Sequence, residues 1–275
     1  MYTEFWGLQR RPFDERQSAD MYFPAASQQS ALLKLRYMVD QRKGLAVIAG
    51  EHGLGKSLLT QVFEKQSPTT PVIRLVIPNL SADESVAYFA SRLGCPSEAL
   101  GSNVSVLCCL EEKLAQLQSE QIHVVFVVDD AHLLDGHHLD TLRLLSCLNE
   151  TGAADFSMVL VGRTQLLGRL SHIESLNCRI ALRAAVTPLG VTEVIPYVRH
   201  RIAIAGGDPA IFQDECEDAL WRHSRGIPRR VNQICDLALL VGLADELKSI
   251  GAIDIVAAAE ELDSTLGPSA AAVAA

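Results

Sequence analysis

The chain has 275 residues, of which 48% are hydrophobic and 21% charged, and its 24 basic and 33 acidic residues give a formal charge of −9. This balance is typical of a folded globular protein, and the length suits one large α/β domain with a smaller companion. A net negative charge argues against a protein that coats DNA by neutralising its phosphates. A locally basic stretch remains, because eight arginines lie between residues 179 and 235.

No apolar run approaches the roughly 18 residues of a membrane-spanning helix. The N-terminal stretch, MYTEFWGLQRRPF, lacks the apolar segment of a signal peptide. We therefore expect a cytoplasmic protein without membrane insertion. The seven cysteines are odd in number and none forms a C-x-x-C pair. Reduced, mostly buried thiols are expected rather than a disulfide framework or a structural metal site.

Short apolar runs alternate with helical patterns along the first two thirds of the chain, which indicates a parallel sheet covered by helices. The runs are nearly continuous, as is typical of strands buried on both faces. The predicted strands are residues 45–49, 72–77, 124–128, 157–161 and 180–186. The predicted helices between them are residues 57–65, 81–93, 104–119 and 139–150.

The pattern changes class near Pro188, after which no further strand is predicted. Four helices with apolar residues at helical spacing are predicted at residues 192–205, 213–224, 229–247 and 253–262. The sequence thus predicts an α/β domain at residues 1–188 and an all-α domain at residues 189–264. Residues 265–275, which end in GPSAAAVAA, are expected to be a disordered tail.

The first predicted strand leads into GEHGLGKS at residues 50–57, which fits the phosphate-binding pattern G-x-x-x-x-G-K-[ST]. Such a loop points backbone N–H groups at phosphates, and the helix N-terminus that follows adds partial positive charge. Lys56 is expected to reach the β- and γ-phosphates, and Ser57 to offer its hydroxyl to Mg²⁺. The residues predicted to bind ATP here are Gly50, Glu51, His52, Gly53, Leu54, Gly55, Lys56, Ser57 and Leu58.

A second motif, which is acidic, follows the third predicted strand, where VVFVV is followed by Asp129 and Asp130. Two carboxylates at the end of a buried strand are costly unless a cation or partner compensates them. We expect Asp129 to hold Mg²⁺ and Asp130 to polarise the attacking water. The alternative is that Asp130 caps the helical turn that follows it.

An intervening strand between the phosphate loop and the acids is implied, which is typical of the additional-strand class of P-loop ATPases. The chain resembles the ExeA-type, or general secretion pathway protein A, AAA+ ATPases from residue 1 to about residue 262. The resemblance is carried by Tyr2, Phe5, Gly7, Leu8, Pro12 and Phe13 at the start, and by GLAVIAGEHGLGKS, VVFVVDDAH, VLVG, CRIALRAAVTPL and SRGIPRRVNQICDLALL. Transposition regulators of the TniB and TnsC type share the same core.

This resemblance implies a five-stranded parallel sheet with a C-terminal helical lid, and roles for several arginines. Arg163 occupies the sensor-1 region, and Arg229 in GIPR matches the sensor-2 position. Arg179 and Arg183 are the candidates for an arginine finger given to a neighbouring subunit. A guanidinium can stabilise charge on the γ-phosphate oxygens and respond to their presence. Ordinary surface salt bridges are the alternative for these arginines.

The aromatic N-terminal segment is expected to fold against the core beside the adenine, with plain packing of Phe5 and Phe13 as the alternative. Relatives usually have Glu where this chain has Asp130, and often Pro where it has Thr164. The shorter carboxylate affects how well a water is positioned. Secretion ATPases of this type also continue into a membrane segment and a peptidoglycan-binding region, so the periplasmic part of that role is not expected of this sequence.

Taken as a whole, these features predict an ATPase that forms a ring or filament and acts on a macromolecular partner, with Lys56, Asp130, Arg179 and Arg229 in catalysis. The alternative is a slowly hydrolysing ATP switch or a DNA-targeting adaptor. Asp130 and the arginine-rich helical region favour that alternative, and the net acidity argues against it. DNA is therefore a less favoured partner than protein.

Overall fold

A computed structural model describes residues 2–14, 18–76, 80–96, 98, 100, 102–150, 152 and 154–266. Two compact units are found. The helical unit comprises residues 1–25, 53–55 and 187–275, and the sheet unit comprises residues 26–52 and 56–186. Within the described ranges, none of the helices has the length and apolar character needed to cross a bilayer.

The sheet unit is built on five parallel strands in the order β2-β3-β4-β1-β5. Strand β4 lies between β1 and β3, so the intervening strand predicted from the sequence is confirmed. Because all strands are parallel, their carboxyl ends share one edge of the sheet, where ligands of such folds bind. The strands are β1 (Leu45–Ala49), β2 (Val72–Leu75), β3 (Val124–Val128), β4 (Phe156–Gly162) and β5 (Ile180–Ala185).

Helices cover the sheet and make up most of the second unit. In the sheet unit they are α2 (Ala26–Asp40), α3 (Lys56–Gln66), α4 (Ala82–Arg92), α5 (Asn103–Ser119), α6 (Gly136–Glu150), α7 (Gln165–Ser171) and α8 (Glu174–Asn177). In the helical unit they are α1 (Tyr2–Phe5), α9 (Val191–Ile204), α10 (Cys216–Ser224), α11 (Pro228–Ala244) and α12 (Ala252–Leu266). The predicted fold class, a parallel sheet followed by an all-α region, is confirmed.

Each unit has its own apolar core. In the sheet unit, strands β1, β3 and β4 are buried along their whole length, which explains their continuous apolar sequences. Phe126 contacts both Phe89 and Phe156, with ring centroids 4.7 and 5.3 Å apart. In the helical unit, Phe13 packs edge to face on Phe212 at 5.9 Å. The aromatic residue at position 13 is therefore a core residue.

The N-terminal segment belongs to the helical unit through specific polar contacts. The indole N–H of Trp6 donates to the carbonyl of Leu239 at 2.9 Å. The buried Arg201 donates to the carbonyl oxygens of Pro12, at 2.7 Å, and Asp14, at 3.3 Å. Buried polar groups that are satisfied in this way hold a chain segment in one place.

The structure corrects the expectation about the cysteines. Cys95 and Cys109 form a disulfide between the segment after α4 and helix α5, so the prediction that the cysteines are all reduced thiols is wrong for this pair. The two cysteines are brought together because α4 and α5 pack against each other. Cys108 and Cys178 are exposed rather than buried. Most of the predicted disordered tail, residues 267–275, lies outside the described residues, as does residue 77 of the second predicted strand.

Candidate functional site

The phosphate loop joins β1 to α3, as the sequence predicts. Gly53 and Gly55 adopt left-handed backbone angles, with φ of +82° and +84°, which residues with a side chain adopt only at a cost. The loop is tied to the neighbouring strand, since the N–H of Gly50 donates to the carbonyl of Gly162 at 3.2 Å. Helix α3 begins at Lys56, so its N-terminal N–H groups open at this loop.

Lys56 is buried at the start of α3, with 9% of its surface exposed. Its ammonium donates to the carbonyl oxygen of Glu51 at 2.8 Å. Burial lowers the pKa of Lys56, and the carboxylates of Asp129 and Asp130 oppose that shift. Lys56 therefore lies within electrostatic range of both acids that follow the third strand.

Asp129 and Asp130 follow β3 but have different environments. Asp129 is 5% exposed, and its Oδ1 accepts a hydrogen bond from the N–H of Asp130 at 2.9 Å. Asp130 is left-handed, with φ of 48°, and its side chain is 57% exposed. It makes no side-chain capping hydrogen bond to the 3₁₀ turn Ala131–Leu133, so the capping alternative is wrong.

The residues after β4 complete this edge of the sheet unit. Arg163 is exposed there, and its like charge contributes to lowering the pKa of Lys56. The neighbouring Thr164 donates its hydroxyl to the carboxylate of Glu51 at 2.5 Å. This contact joins the phosphate loop to the segment that follows β4. It was not predicted, because the two residues are far apart in sequence and no local sequence motif links them.

A histidine that the sequence motifs left without a role lies beside these groups. The side chain of His132 is 10% exposed, and its Nδ1 lies 3.8 Å from Oδ1 of Asp130. Arg169 on α7 donates to the carbonyls of His132, at 2.6 Å, and Leu134. Burial lowers the pKa of His132, with the Asp130 carboxylate opposing the shift. A neutral imidazole is therefore favoured at this position.

The arginine-finger candidates lie away from this group of residues in sequence and contact their own neighbourhood. Arg179, between α8 and β5, donates to the carbonyl of Ser175 at 2.5 Å and contacts the sulfur of Cys147 at 3.5 Å. Arg183 on β5 donates to the side chain of Asn177 at 2.6 Å. A finger role acts across subunits, so for both residues it stays a prediction.

Arg229 belongs to the helical unit, which also contains loop residues 53–55. Its backbone N–H donates to the carbonyl of Gly53 at 3.2 Å. A Cβ at Gly53 would lie 2.9 Å from Cβ of Arg229. Within the helical unit, the first turn of α11 therefore lies close to Gly53, and the resemblance assigns the sensor-2 position to Arg229.

The donor set at the sheet edge fits ATP and magnesium. Ser57 and Asp129 offer a hydroxyl and a carboxylate, which are the hard oxygen ligands that Mg²⁺ prefers. The loop offers backbone N–H groups and a buried ammonium, which suit phosphate oxygens. Together these groups can bind a nucleoside triphosphate and support displacement at its γ-phosphorus.

Comparison with known proteins agrees with this chemistry. The AAA domain family matches residues 39–170. General secretion pathway protein A of Aeromonas hydrophila is 31% identical over 266 residues, which cover 95% of this chain and 48% of that protein. The chain thus spans about half the length of this curated relative.

Solved structures share the fold at low sequence identity. The ORC2 protein of Aeropyrum pernix, solved as ADPNP–ADP complexes, has a TM-score of 0.70 and 16% identity, over 92% of this chain and 72% of that chain. Cdc6p from Pyrobaculum aerophilum has a TM-score of 0.73 and 15% identity, over 91% of this chain and 70% of that chain. The chain therefore has the fold of the AAA+ ATPases, carries a match to the AAA domain family in residues 39–170, and is similar to General secretion pathway protein A over nearly its whole length.

Proposed function

We propose that this chain binds ATP with Mg²⁺ and hydrolyses it, as an oligomer that remodels or regulates a macromolecular partner. The observation that supports this most directly is the grouping of Lys56, Asp129 and Asp130 at the carboxyl edge of the sheet. If Lys56 and Asp129 served only to stabilise the fold, the exposed carboxylate of Asp130 and the glycine-rich loop beside them would add little to that stability. Phosphate binding accounts for all of these features.

Each residue has a distinct part in the proposed reaction. Lys56 binds the β- and γ-phosphate oxygens, and exchanges the Glu51 carbonyl for them when the nucleotide arrives. Ser57 and Asp129 would hold Mg²⁺, which when bound would supply neutralisation of the charge that develops on the phosphates. Asp130 polarises the water that attacks the γ-phosphorus as ADP leaves.

The arginines connect this reaction to movement and assembly. Arg179 is the proposed finger for a neighbouring subunit, with Arg183 as the second candidate. Arg163 senses the γ-phosphate within the sheet unit, and Arg229 does so from the lid, which we assign to residues 189–264. A charge gained or lost at the γ-phosphate would then change how the lid and the neighbouring subunit are held.

The partner is inferred from the named relative. A chain that is 31% identical to General secretion pathway protein A is proposed to act on a protein assembly of a secretion-like pathway. We assign this activity to the cytoplasm, where ATP and Mg²⁺ are available. The relative is longer than this chain, so partners of its remaining part are not carried over.

ATP turnover per subunit, measured across protein concentration, tests this function. We expect turnover to rise with concentration for the unchanged protein, and to vanish in Lys56→Ala and Arg179→Ala. Arg222→Ala is the matched control, because the Arg222 side chain is 75% exposed. Turnover that is independent of concentration and unaffected by Arg179→Ala would contradict the shared site.

The second candidate is a slow switch of the transposition type, which the short and exposed carboxylate of Asp130 favours. Asp130→Glu separates the two. If the unchanged protein binds ATP but barely hydrolyses it, and Asp130→Glu raises the rate at least about tenfold, the switch is favoured. Binding to duplex DNA that weakens steeply with added salt would indicate the DNA-targeting form of that switch.

A further inference from the structure

The imidazole of His132 is the polar group at this edge of the sheet that the proposed reaction does not yet use. Among the described residues, its Nδ1 is a buried side-chain nitrogen without a hydrogen-bond partner. Its surroundings exclude water from that atom, and the Asp130 carboxylate lies 3.8 Å away. A buried polar atom left in this state is costly in a native structure and requires an explanation.

The backbone that carries His132 is fixed from two sides. Arg169 on α7 donates to the carbonyl of His132 at 2.6 Å. Gly162 at the end of β4 approaches so closely that an added Cβ would lie 3.1 Å from the His132 nitrogen and 3.4 Å from its Cβ. Packing therefore sets the backbone and Cβ from which the imidazole projects, and the side chain is 10% exposed, which suits a positioning group.

Asp130, in contrast, is free to turn. Its side chain is 57% exposed, and the N-terminal turn after it receives no cap from this carboxylate. The 3.8 Å between Nδ1 of His132 and Oδ1 of Asp130 is too long for a hydrogen bond. A small rotation of the Asp130 side chain toward His132 would bring the two atoms within hydrogen-bond distance. The buried nitrogen and the exposed carboxylate would then form a donor and an acceptor.

We propose that His132 is a positioning residue for Asp130: its Nδ1–H donates to the Asp130 carboxylate and holds it toward the attacking water. The inference rests on the proposed ATP hydrolysis. The hydrogen bond from His132 would fix the orientation of the Asp130 carboxylate. An aspartate has less reach than a glutamate and therefore depends more on such a fixed orientation. His132 itself touches neither the phosphates nor the metal in this role.

The groups that act electrostatically on His132 are Asp130, Arg163, Lys56 and Arg169. Three of the four are cationic, which disfavours an imidazolium at this position, as burial does. A neutral imidazole has one N–H, and the negative carboxylate beside Nδ1 favours the tautomer with the proton on that nitrogen. The donation that we propose is thus the electrostatically favoured arrangement.

Two nearly isosteric variants test the proposal. Asparagine and leucine both fork at Cγ, but only His132→Asn places an N–H donor where Nδ1 was. We expect His132→Leu to lower kcat by about ten- to a hundredfold with KM and the melting temperature close to those of His132→Asn. We expect His132→Asn to keep kcat within about fivefold of the unchanged protein.

A cycle with Asp130→Ala, measured under single-turnover conditions, adds a readout that a merely structural role would not move. In that background His132→Leu is expected to cause no further loss, because the acceptor is already gone. Full turnover in His132→Leu, or equal losses in the Leu and Asn variants, would overturn the inference. Lys56→Ala separates the two levels: if it abolishes turnover while His132→Leu does not, ATP hydrolysis stands and only the role of His132 fails. Turnover that Lys56→Ala leaves unchanged would overturn both.

Discussion

Oδ1 of Asp129 accepts a hydrogen bond from the backbone N–H of Asp130 at 2.9 Å, so the first acid of the pair helps to shape the turn that presents the second. Asp129 is 5% exposed and Asp130 has a 57% exposed side chain. The two carboxylates therefore suit different tasks. The buried one suits a metal, and the exposed one suits a water molecule.

Asp129→Asn tests the metal role without disturbing the turn, because the amide oxygen still accepts the Asp130 N–H. We expect Mg²⁺-dependent turnover to fall by at least about a hundredfold, since the anionic metal ligand is lost. ATP binding measured in EDTA is expected to stay unchanged. Asp140→Asn, at a side chain 63% exposed, is the control. Full Mg²⁺-dependent activity in Asp129→Asn would assign the metal to other ligands.

Gly53→Ala and Gly55→Ala form a matched pair within the phosphate loop. Both positions have left-handed angles, so each alanine is expected to cost about 1 to 2 kcal/mol of backbone strain. At Gly55 the added Cβ meets no atom within 4 Å, whereas at Gly53 it meets Cβ of Arg229 at 2.9 Å. We expect overpacking to lower the free energy of unfolding of Gly53→Ala by about a further 1 to 3 kcal/mol.

Urea unfolding followed by circular dichroism measures this difference. The two alanine variants would be equally stable if the start of α11 did not approach the loop. That result would remove the structural basis for a sensor role of Arg229.

Arg201→Met is expected to destabilise the helical unit by about 2 to 4 kcal/mol, because three acceptors lose a buried charged donor. These acceptors are the carbonyls of Pro12 and Asp14 and the hydroxyl of Tyr197. Thermal unfolding and protease cleavage of the N-terminal segment report the loss. Arg222→Met is the control, since its side chain is 75% exposed and pairs with Asp218 at 4.0 Å. Equal stability of both variants would show that Arg201 does not anchor that segment.

Native thiol labelling at pH 8 tests the cysteine environments. Cys108 and Cys178 are exposed and are expected to react quickly, while Cys216 and Cys235 are buried and are expected to react only on unfolding. Burial raises the pKa of Cys216 to about 12, which leaves almost no thiolate. Reductant is expected to release Cys109, which is half-buried, for labelling. Mass spectrometry of labelled peptides distinguishes these sites, and fast labelling of Cys216 or no gain with reductant would contradict the structure.

The sheet was predictable because its strands are buried on both faces. The predicted limits of β1 and β3 match the structure, β4 extends one residue further at each end, and β5 ends one residue earlier, since continuous apolar runs have clear edges. Helix α2 was not predicted. Its buried face includes Gln28 and Ala31 beside its leucines, so the apolar stripe is weak in the sequence.

The site was predictable where a local motif sets it and not where tertiary contacts do. The loop at residues 50–57 and the acids after β3 follow from sequence spacing alone. The contact of Glu51 with Thr164 joins residues that are far apart in sequence. The backbone of His132 is held by Gly162 and Arg169, and all of these residues come together only after the sheet forms. The disulfide of Cys95 and Cys109 depends in the same way on the packing of α4 and α5.

Calorimetric titration of a non-hydrolysable ATP analogue with Mg²⁺ tests the central claim most directly, for the unchanged protein and for Lys56→Met. Methionine nearly keeps the volume of the buried side chain and removes its charge and its N–H donors, so the fold is expected to remain stable. The account predicts one site per chain and an affinity about ten- to a hundredfold weaker in Lys56→Met, because charge-assisted hydrogen bonds to phosphate are lost. No binding by the unchanged protein, or the same affinity in both, would contradict it.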